Sequence, residues 1–89
     1  MVTLQRKIEP EVCEYFDVDE NSLTIEIVLP GVLKENIRLK VNVCSLQLYA
    51  TSEEANYAKY LFFDHPVEPL RGKAIYEHGI LRVKIPLRA

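Results

Sequence analysis

The chain has 89 residues, 48% of them hydrophobic and 27% charged, and a net charge of −2. Eighty-nine residues read as one small domain with enough apolar residues for a core, so disorder is not the default. Acidic and basic residues are interspersed, so the sequence has neither a basic footprint for nucleic acid nor an acidic tail.

No apolar run approaches the roughly 18 residues that a membrane span needs. No charged-then-apolar leader opens the chain. Residues 1–9 mix polar and apolar types and read as a short N-terminal arm or a first edge strand. The domain proper spans residues 10–87, and residues 88–89 are a C-terminal end. Two cysteines, Cys13 and Cys44, are too few for a disulfide framework. Their strand-like context predicts buried, reduced thiols, which fits a cytoplasmic location.

Residues 11–17 alternate Val12, Glu14, Phe16 against Cys13, Tyr15, Asp17 and predict a short strand. Asp17 to Asn21 is a turn, where short polar side chains bond back to the backbone. Residues 22–29 give the clearest strand, with Leu23, Ile25, Ile27 and Leu29 on one face. Pro30 then stops the pairing, because proline has no backbone donor. Gly31 allows a positive φ, so the chain turns there. Lys34-Glu35-Asn36 is long enough for one helical turn only.

Alternation resumes at Ile37, Leu39, Val41 and Val43, and again at Leu46, Leu48 and Ala50. Val43-Cys44-Ser45 must hold a tight turn between these runs without an Asn-Gly pair. Residues 57–63 form another strand, with Tyr57, Lys59, Leu61 and Phe63 on one side. Residues 64–72 contain two prolines and a glycine and read as a loop. Two strands follow, residues 73–77 and 80–87, joined by a turn at His78-Gly79. Seven to eight short strands with strict alternation and no long helix predict an all-β fold: an immunoglobulin-like β-sandwich of two antiparallel sheets.

The chemistry-bearing residues are sparse. There is no G-x-S-x-G, no P-loop and no G-x-G-x-x-G. Asp64-His65 is an adjacent pair in a loop with no sequence-placed nucleophile, and reads as a solvated turn. Cys13, Cys44, His65 and His78 do not stand at metal-ligand spacing, so neither a metal nor another cofactor is expected. Glu53-Glu54 is a charged turn. The five tyrosines, Tyr15, Tyr49, Tyr57, Tyr60 and Tyr76, are explained by core and edge packing, since no basic groove accompanies them.

Three stretches carry a resemblance. Leu29-Pro30-Gly31-Val32, followed by Lys34-Glu35-Asn36-Ile37, resembles the leucine-proline-glycine corner of the small heat-shock proteins and their α-crystallin domain. Ser45-Leu46-Gln47-Leu48-Tyr49-Ala50 resembles that family's L-x-I-x-A strand. Ala74 to Leu81 resembles its A-x-x-x-N-G-x-L signature, with His78 where asparagine is commonest. Together these stretches span most of the chain in the family's order.

The resemblance implies an α-crystallin-type sandwich and an ATP-independent holdase, not an enzyme. Its expected partners are partly unfolded client proteins and further copies of itself, not nucleic acid and not a membrane. The structural residues of the motifs are Leu29, Pro30, Gly31, Ala74, Gly79 and Leu81. Ala74 is expected to be small because two sheets approach closely there, and Leu81 to lie in the core. Carried over by position, a partner groove would be walled by Ile37, Leu39 and Val41 on one side and Ala74 and Tyr76 on the other. The chain also departs from the family. Residues 52–56 leave no room for the long loop with which many members exchange a strand, and the flanks are short. Ile85-Pro86-Leu87 is expected to end the last strand rather than to serve as a tail motif. The alternatives are a CS-domain-like co-chaperone of the ninety-kilodalton heat-shock chaperone, or a protein-interaction adaptor domain.

Overall fold

A computed structural model describes residues 6–88. Residues 1–5 of the expected arm, and Ala89, lie outside the described residues. Eight strands form two four-stranded sheets. They are β1 (Arg6–Ile8), β2 (Val12–Asp17), β3 (Ser22–Val28), β4 (Ile37–Val41), β5 (Ser45–Thr51), β6 (Ala55–Phe62), β7 (Lys73–Glu77) and β8 (Ile80–Pro86). One sheet runs β1-β6-β5-β4 and the other β2-β3-β8-β7. The expected sandwich is present.

Pairing is antiparallel except at β1, which lies parallel to β6 with Arg6 opposite Ala55 and Ile8 opposite Tyr57. The end of the expected arm is therefore an edge strand. The buried Pro10 carries the chain from β1 into β2, which belongs to the other sheet.

The period-two pattern explains the core. Ile25, Ile27 and Leu29 face Leu46, Leu48 and Ala50 across the sandwich, and Leu81, Val83 and Ile85 complete the layer from β8. All but Leu29, which follows the end of β3, are inner-face residues of strands with a neighbour on each side. Full burial of one such aliphatic side chain contributes about 1.5–3 kcal/mol. Leu81 is buried as expected. Val67 is also fully buried, although it lies in the stretch read as a loop. It forms an isolated bridge with Leu87, and its N–H donates to the Val43 carbonyl at 2.8 Å. Beyond it, Pro69–Arg71 makes one 3-10 turn.

The corner is a tight turn. The Val32 N–H donates to the Leu29 carbonyl at 3.3 Å, and Gly31 takes φ 75°, the pattern of a turn with proline second and glycine third. Lys34–Asn36 then forms a 3-10 turn. The β7–β8 turn has His78 at φ 52° and Gly79 at φ 77°. A two-residue hairpin turn of this kind needs positive φ at both positions, which Asn and Gly tolerate best. β4 stops at Val41 rather than Val43, because the Asn42 N–H donates to the Ser45 carbonyl at 2.8 Å and closes the turn two residues early.

Three expectations about side chains are corrected. Cys13 and Cys44 are both exposed free thiols, not buried ones. Cys13 lies on the outward face of the edge strand β2, opposite Glu26, and Cys44 sits at the β4–β5 turn. Ala74 is exposed rather than pressed between sheets, because among the described residues β7 is an edge strand that pairs with β8 alone. Tyr49 and Tyr60 are largely exposed on strands with a neighbour on each side, so core and edge packing accounts for Tyr57, in part for Tyr76 and for Tyr15 on the edge strand β2, and not for these two.

Candidate functional site

β4 ends one sheet and β7 ends the other. Among the described residues each pairs on one side only, leaving a row of backbone donors and acceptors open on the other. Inner-face parity follows from the register. Ile37, Leu39 and Val41 lie opposite Ala50, Leu48 and Leu46, and Ala74 and Tyr76 lie opposite Val83 and Leu81. All five residues expected to wall a groove therefore face the space between the sheets.

They do not share one cavity. Leu39, Val41 and Ala74 line a depression of about 280 Å³ with Leu70, Val83 and Ile85, and Pro69, Gly72 and Lys73 complete its wall. Lys73 is its only charged residue. Ile37 and Tyr76 are half-buried and lie outside that lining. Tyr76 has a structural commitment. Its hydroxyl is 2.7 Å from the Val32 carbonyl oxygen and 2.8 Å from that of Leu29, and its one proton donates to one of them at a time. Burial, with the nearby Tyr57, pushes its pKa above the usual 10.0.

This contact joins two of the motifs found in the sequence. The Leu29 N–H also donates to the Gly79 carbonyl at 2.7 Å. The corner and the β7–β8 turn are thus hydrogen-bonded to one another across about fifty residues of chain. The corner aims β4 along the seam, and the turn holds the corner in place.

Sequence reasoning missed Leu70. It is fully exposed at the mouth of the depression, held on the 3-10 turn by Pro69. Gly72 lets this turn sit tightly on β8, since a Cβ there would stand 3.3 Å from the Pro69 carbonyl oxygen and 3.4 Å from Ile85. The only signal in the sequence was a large apolar residue between a proline and an arginine. Ile85-Pro86-Leu87 is consumed by β8 and its end: Ile85 is fully buried opposite Leu23.

Elsewhere, Asp64 and His65 line a cavity of about 370 Å³ with Glu14, Tyr15, Phe16, Leu23, Phe63 and Leu87. Among the described residues no cysteine, serine or threonine lines it, so none of these places a nucleophile beside the pair. Among the described residues no group of three His, Cys, Asp or Glu is placed to hold a metal ion. No helix of the described residues is long and apolar enough to cross a membrane. Charge is managed on the outer surface by pairs such as Arg82 with Glu26 at 2.7 Å, Lys84 with Glu20, and Lys59 with Glu9. The hydrogen bond from Arg82, followed by one from Tyr15, holds the Glu26 carboxyl below its usual pKa.

The β5–β6 connection decides how the sheet edge is built. Ser52 Oγ accepts from the N–H groups of Glu54 and Ala55 at 3.3 and 3.1 Å, and the Ser52 N–H donates to the Ala55 carbonyl at 2.8 Å. This side-chain-capped turn feeds β6 straight back onto β5. It contains no extra strand.

No family model matches the sequence, and no curated protein does. Solved structures do match. Heat shock protein 16.0 from Schizosaccharomyces pombe superposes with a TM-score of 0.80 at 16% identity, over 92% of this chain and 68% of that one. A small heat-shock protein from Xylella fastidiosa gives 0.77 at 18% identity, over 90% and 86%. The hspA protein from Xanthomonas axonopodis gives 0.79 at 16% identity, over 96% and 97%. At these identities the likeness establishes the fold. The chain has the α-crystallin-type β-sandwich of the small heat-shock proteins, as the three sequence motifs implied.

Proposed function

We propose that this chain is a small heat-shock protein acting as an ATP-independent holdase. The observation that carries the reading is the seam between β4 and β7, where open backbone edges flank an apolar depression that no described segment of the chain fills. Partly unfolded proteins expose apolar side chains and unpaired strands. An extended client segment lying along β4 or β7 would satisfy its backbone on the edge and place alternate side chains against Leu39, Val41, Leu70 and Ala74. No nucleotide is needed, because exchange of client surface for this surface is the whole reaction. In this reading the protein works in the cytoplasm, self-associates, and keeps Cys13 and Cys44 as free thiols.

Heating an aggregation-prone client with a molar excess of the protein, without ATP, tests the proposal. Light scattering falls if the reading is right; scattering that matches client alone rejects it. A second reading is favoured by the short Ser52-capped turn: a co-chaperone of the CS-domain type, which also lacks a crossing strand. Retention of the ninety-kilodalton heat-shock chaperone on immobilised protein, together with unchanged client scattering, selects that reading.

A further inference from the structure

The two outer faces of the sandwich differ in kind. On β2-β3-β8-β7 the outward charged residues are three acids, Asp17, Glu26 and Glu77, and three bases, Lys73, Arg82 and Lys84. Arg82 and Lys84 are ion-paired. That face is balanced.

On β1-β6-β5-β4 every outward charged strand residue is a cation. The register sets the rows. Arg38, Tyr49 and Ala58 lie side by side across β4, β5 and β6, and Lys40, Gln47 and Tyr60 form the next row. Phe62 continues from Tyr60, and Lys7 stands opposite Asn56 at the far edge. Lys7, Arg38 and Lys40 are exposed, and the described ion pairs of this protein take Lys59, Arg71, Arg82 and Lys84 instead. Glu9 borders the face beside Tyr49 and Tyr60 and is neutralised by Lys59. Three aromatic rings stand open on the middle strands: Tyr49 is 60% exposed, Tyr60 48% and Phe62 76%. The Tyr60 and Phe62 rings lie 4.8 Å apart, tilted by 50°.

A solvated sheet face has no need of three open rings. The rings stand in the middle, with Arg38 and Lys40 on one border and Lys7 on the other, two to four residues further along the strands and about 16–20 Å away; this arrangement matches one kind of ligand. It must be anionic along a backbone and carry flat π surfaces. We propose that this face binds single-stranded nucleic acid, with bases stacked on Tyr49, Tyr60 and Phe62 and phosphates on Lys7, Arg38 and Lys40. An acidic peptide would use the cations and leave the rings idle. A membrane would draw on protruding apolar residues, whereas these rings sit on a sheet with Gln47 and Asn56 among them. The net charge of −2 hid the face, because it averages over both sides of the molecule. The expectation of no nucleic-acid partner rested on that average and on packed tyrosines.

Three phosphate contacts predict weak, salt-sensitive binding. Each contributes about −0.7 to the slope of log affinity against log salt for single strands, a slope of about −2. Affinity should then fall about 20-fold between about 50 and about 200 mM salt. The test is fluorescence anisotropy of labelled oligo-uridine and oligo-thymidine with the full chain at low salt, beside sedimentation with vesicles of phosphatidylcholine and phosphatidylserine. The expected result is binding of an oligonucleotide, weakened about tenfold by Tyr60→Leu, with the slope falling to about −0.7 in the Arg38→Gln/Lys40→Gln double variant. Tyr15→Leu and Lys84→Gln, on the opposite face, should leave affinity unchanged. All these side chains are exposed, and circular dichroism checks that the variants fold. Unchanged anisotropy with both oligonucleotides overturns the proposal. So does equal loss in the opposite-face variants. Sedimentation with the vesicles but no oligonucleotide binding overturns it in favour of a lipid surface.

Discussion

Tyr76→Phe removes one oxygen atom and keeps the ring. That oxygen is the donor that ties the corner to β7, 2.7 Å from the Val32 carbonyl and 2.8 Å from that of Leu29. The two carbonyls do not lose equally. Leu29 still accepts from the Val32 N–H at 3.3 Å, whereas Tyr76 is the partner that holds the Val32 carbonyl. Val32 is 5% exposed, so water reaches the vacated position poorly. Losing a hydrogen bond and stranding a partly buried acceptor costs about 1–2 kcal/mol. In a domain of this size that lowers Tm by about 5–10 °C. Thermal unfolding at neutral pH measures it, and a shift of less than about 1 °C refutes the corner tie. The pH dependence has a defined sign. The folded pKa of Tyr76 is raised above 10.0, so the neutral hydroxyl stabilises the fold fully below pH 10.0, and that stability is lost as pH climbs through the folded value. The gap between wild type and Tyr76→Phe should therefore narrow at strongly alkaline pH.

Gly79→Ala should cost about 1 kcal/mol, because its φ of 77° disfavours any Cβ while the nearest atom stays 3.7 Å away. His78→Asn, at φ 52°, should change stability by less than about 0.5 kcal/mol in a denaturant titration. Ile27→Ala empties a fully buried position on a central strand and should cost about 2–5 kcal/mol by the same titration. Leu70→Asp touches a fully exposed side chain at the mouth of the seam. It should leave Tm within about 1–2 °C while weakening suppression of client scattering several-fold. The Glu26 carboxyl has its pKa lowered below 4.5 by Arg82 and Tyr15. Its contribution is present above pH 4.5 and is lost as pH falls through the folded value, so Glu26→Gln and wild type should converge in stability under acid.

Alternation was sufficient for the strands. The runs at residues 22–29 and at Leu46, Leu48 and Ala50 fell on β3, which ends one residue earlier at Val28, and on β5, because an inner strand must keep one face dry along its whole length. The corner and the His78-Gly79 turn were legible because proline and positive φ restrict the chain locally. Alternation separates two faces, however, without saying what covers each. The expectation of burial failed at Cys13, which lies on the outward parity of β2, and at Ala74, which faces inward on the edge strand β7 where half of the cover is missing. Tyr49 and Tyr60 were already on the outward parity of their strands, and the balanced composition obscured what that meant. Val67 and Leu70 lie in a segment broken by two prolines, where periodicity has nothing to count. Their positions depend on contacts with Val43, Leu87 and Ile85 that are distant in sequence. The bond from Leu29 to Gly79 was likewise invisible, although both residues had been singled out.

The seam between β4 and β7 is the centre of this account, and hydrogen exchange reads it directly. The protein would be exchanged alone and with a client held at its unfolding temperature, without ATP. Added protection of backbone amides in Ile37–Val41 and Lys73–Glu77, reduced in Leu70→Asp, is the result predicted. Client that stays soluble while both edge strands exchange at the rate of the free protein would contradict it.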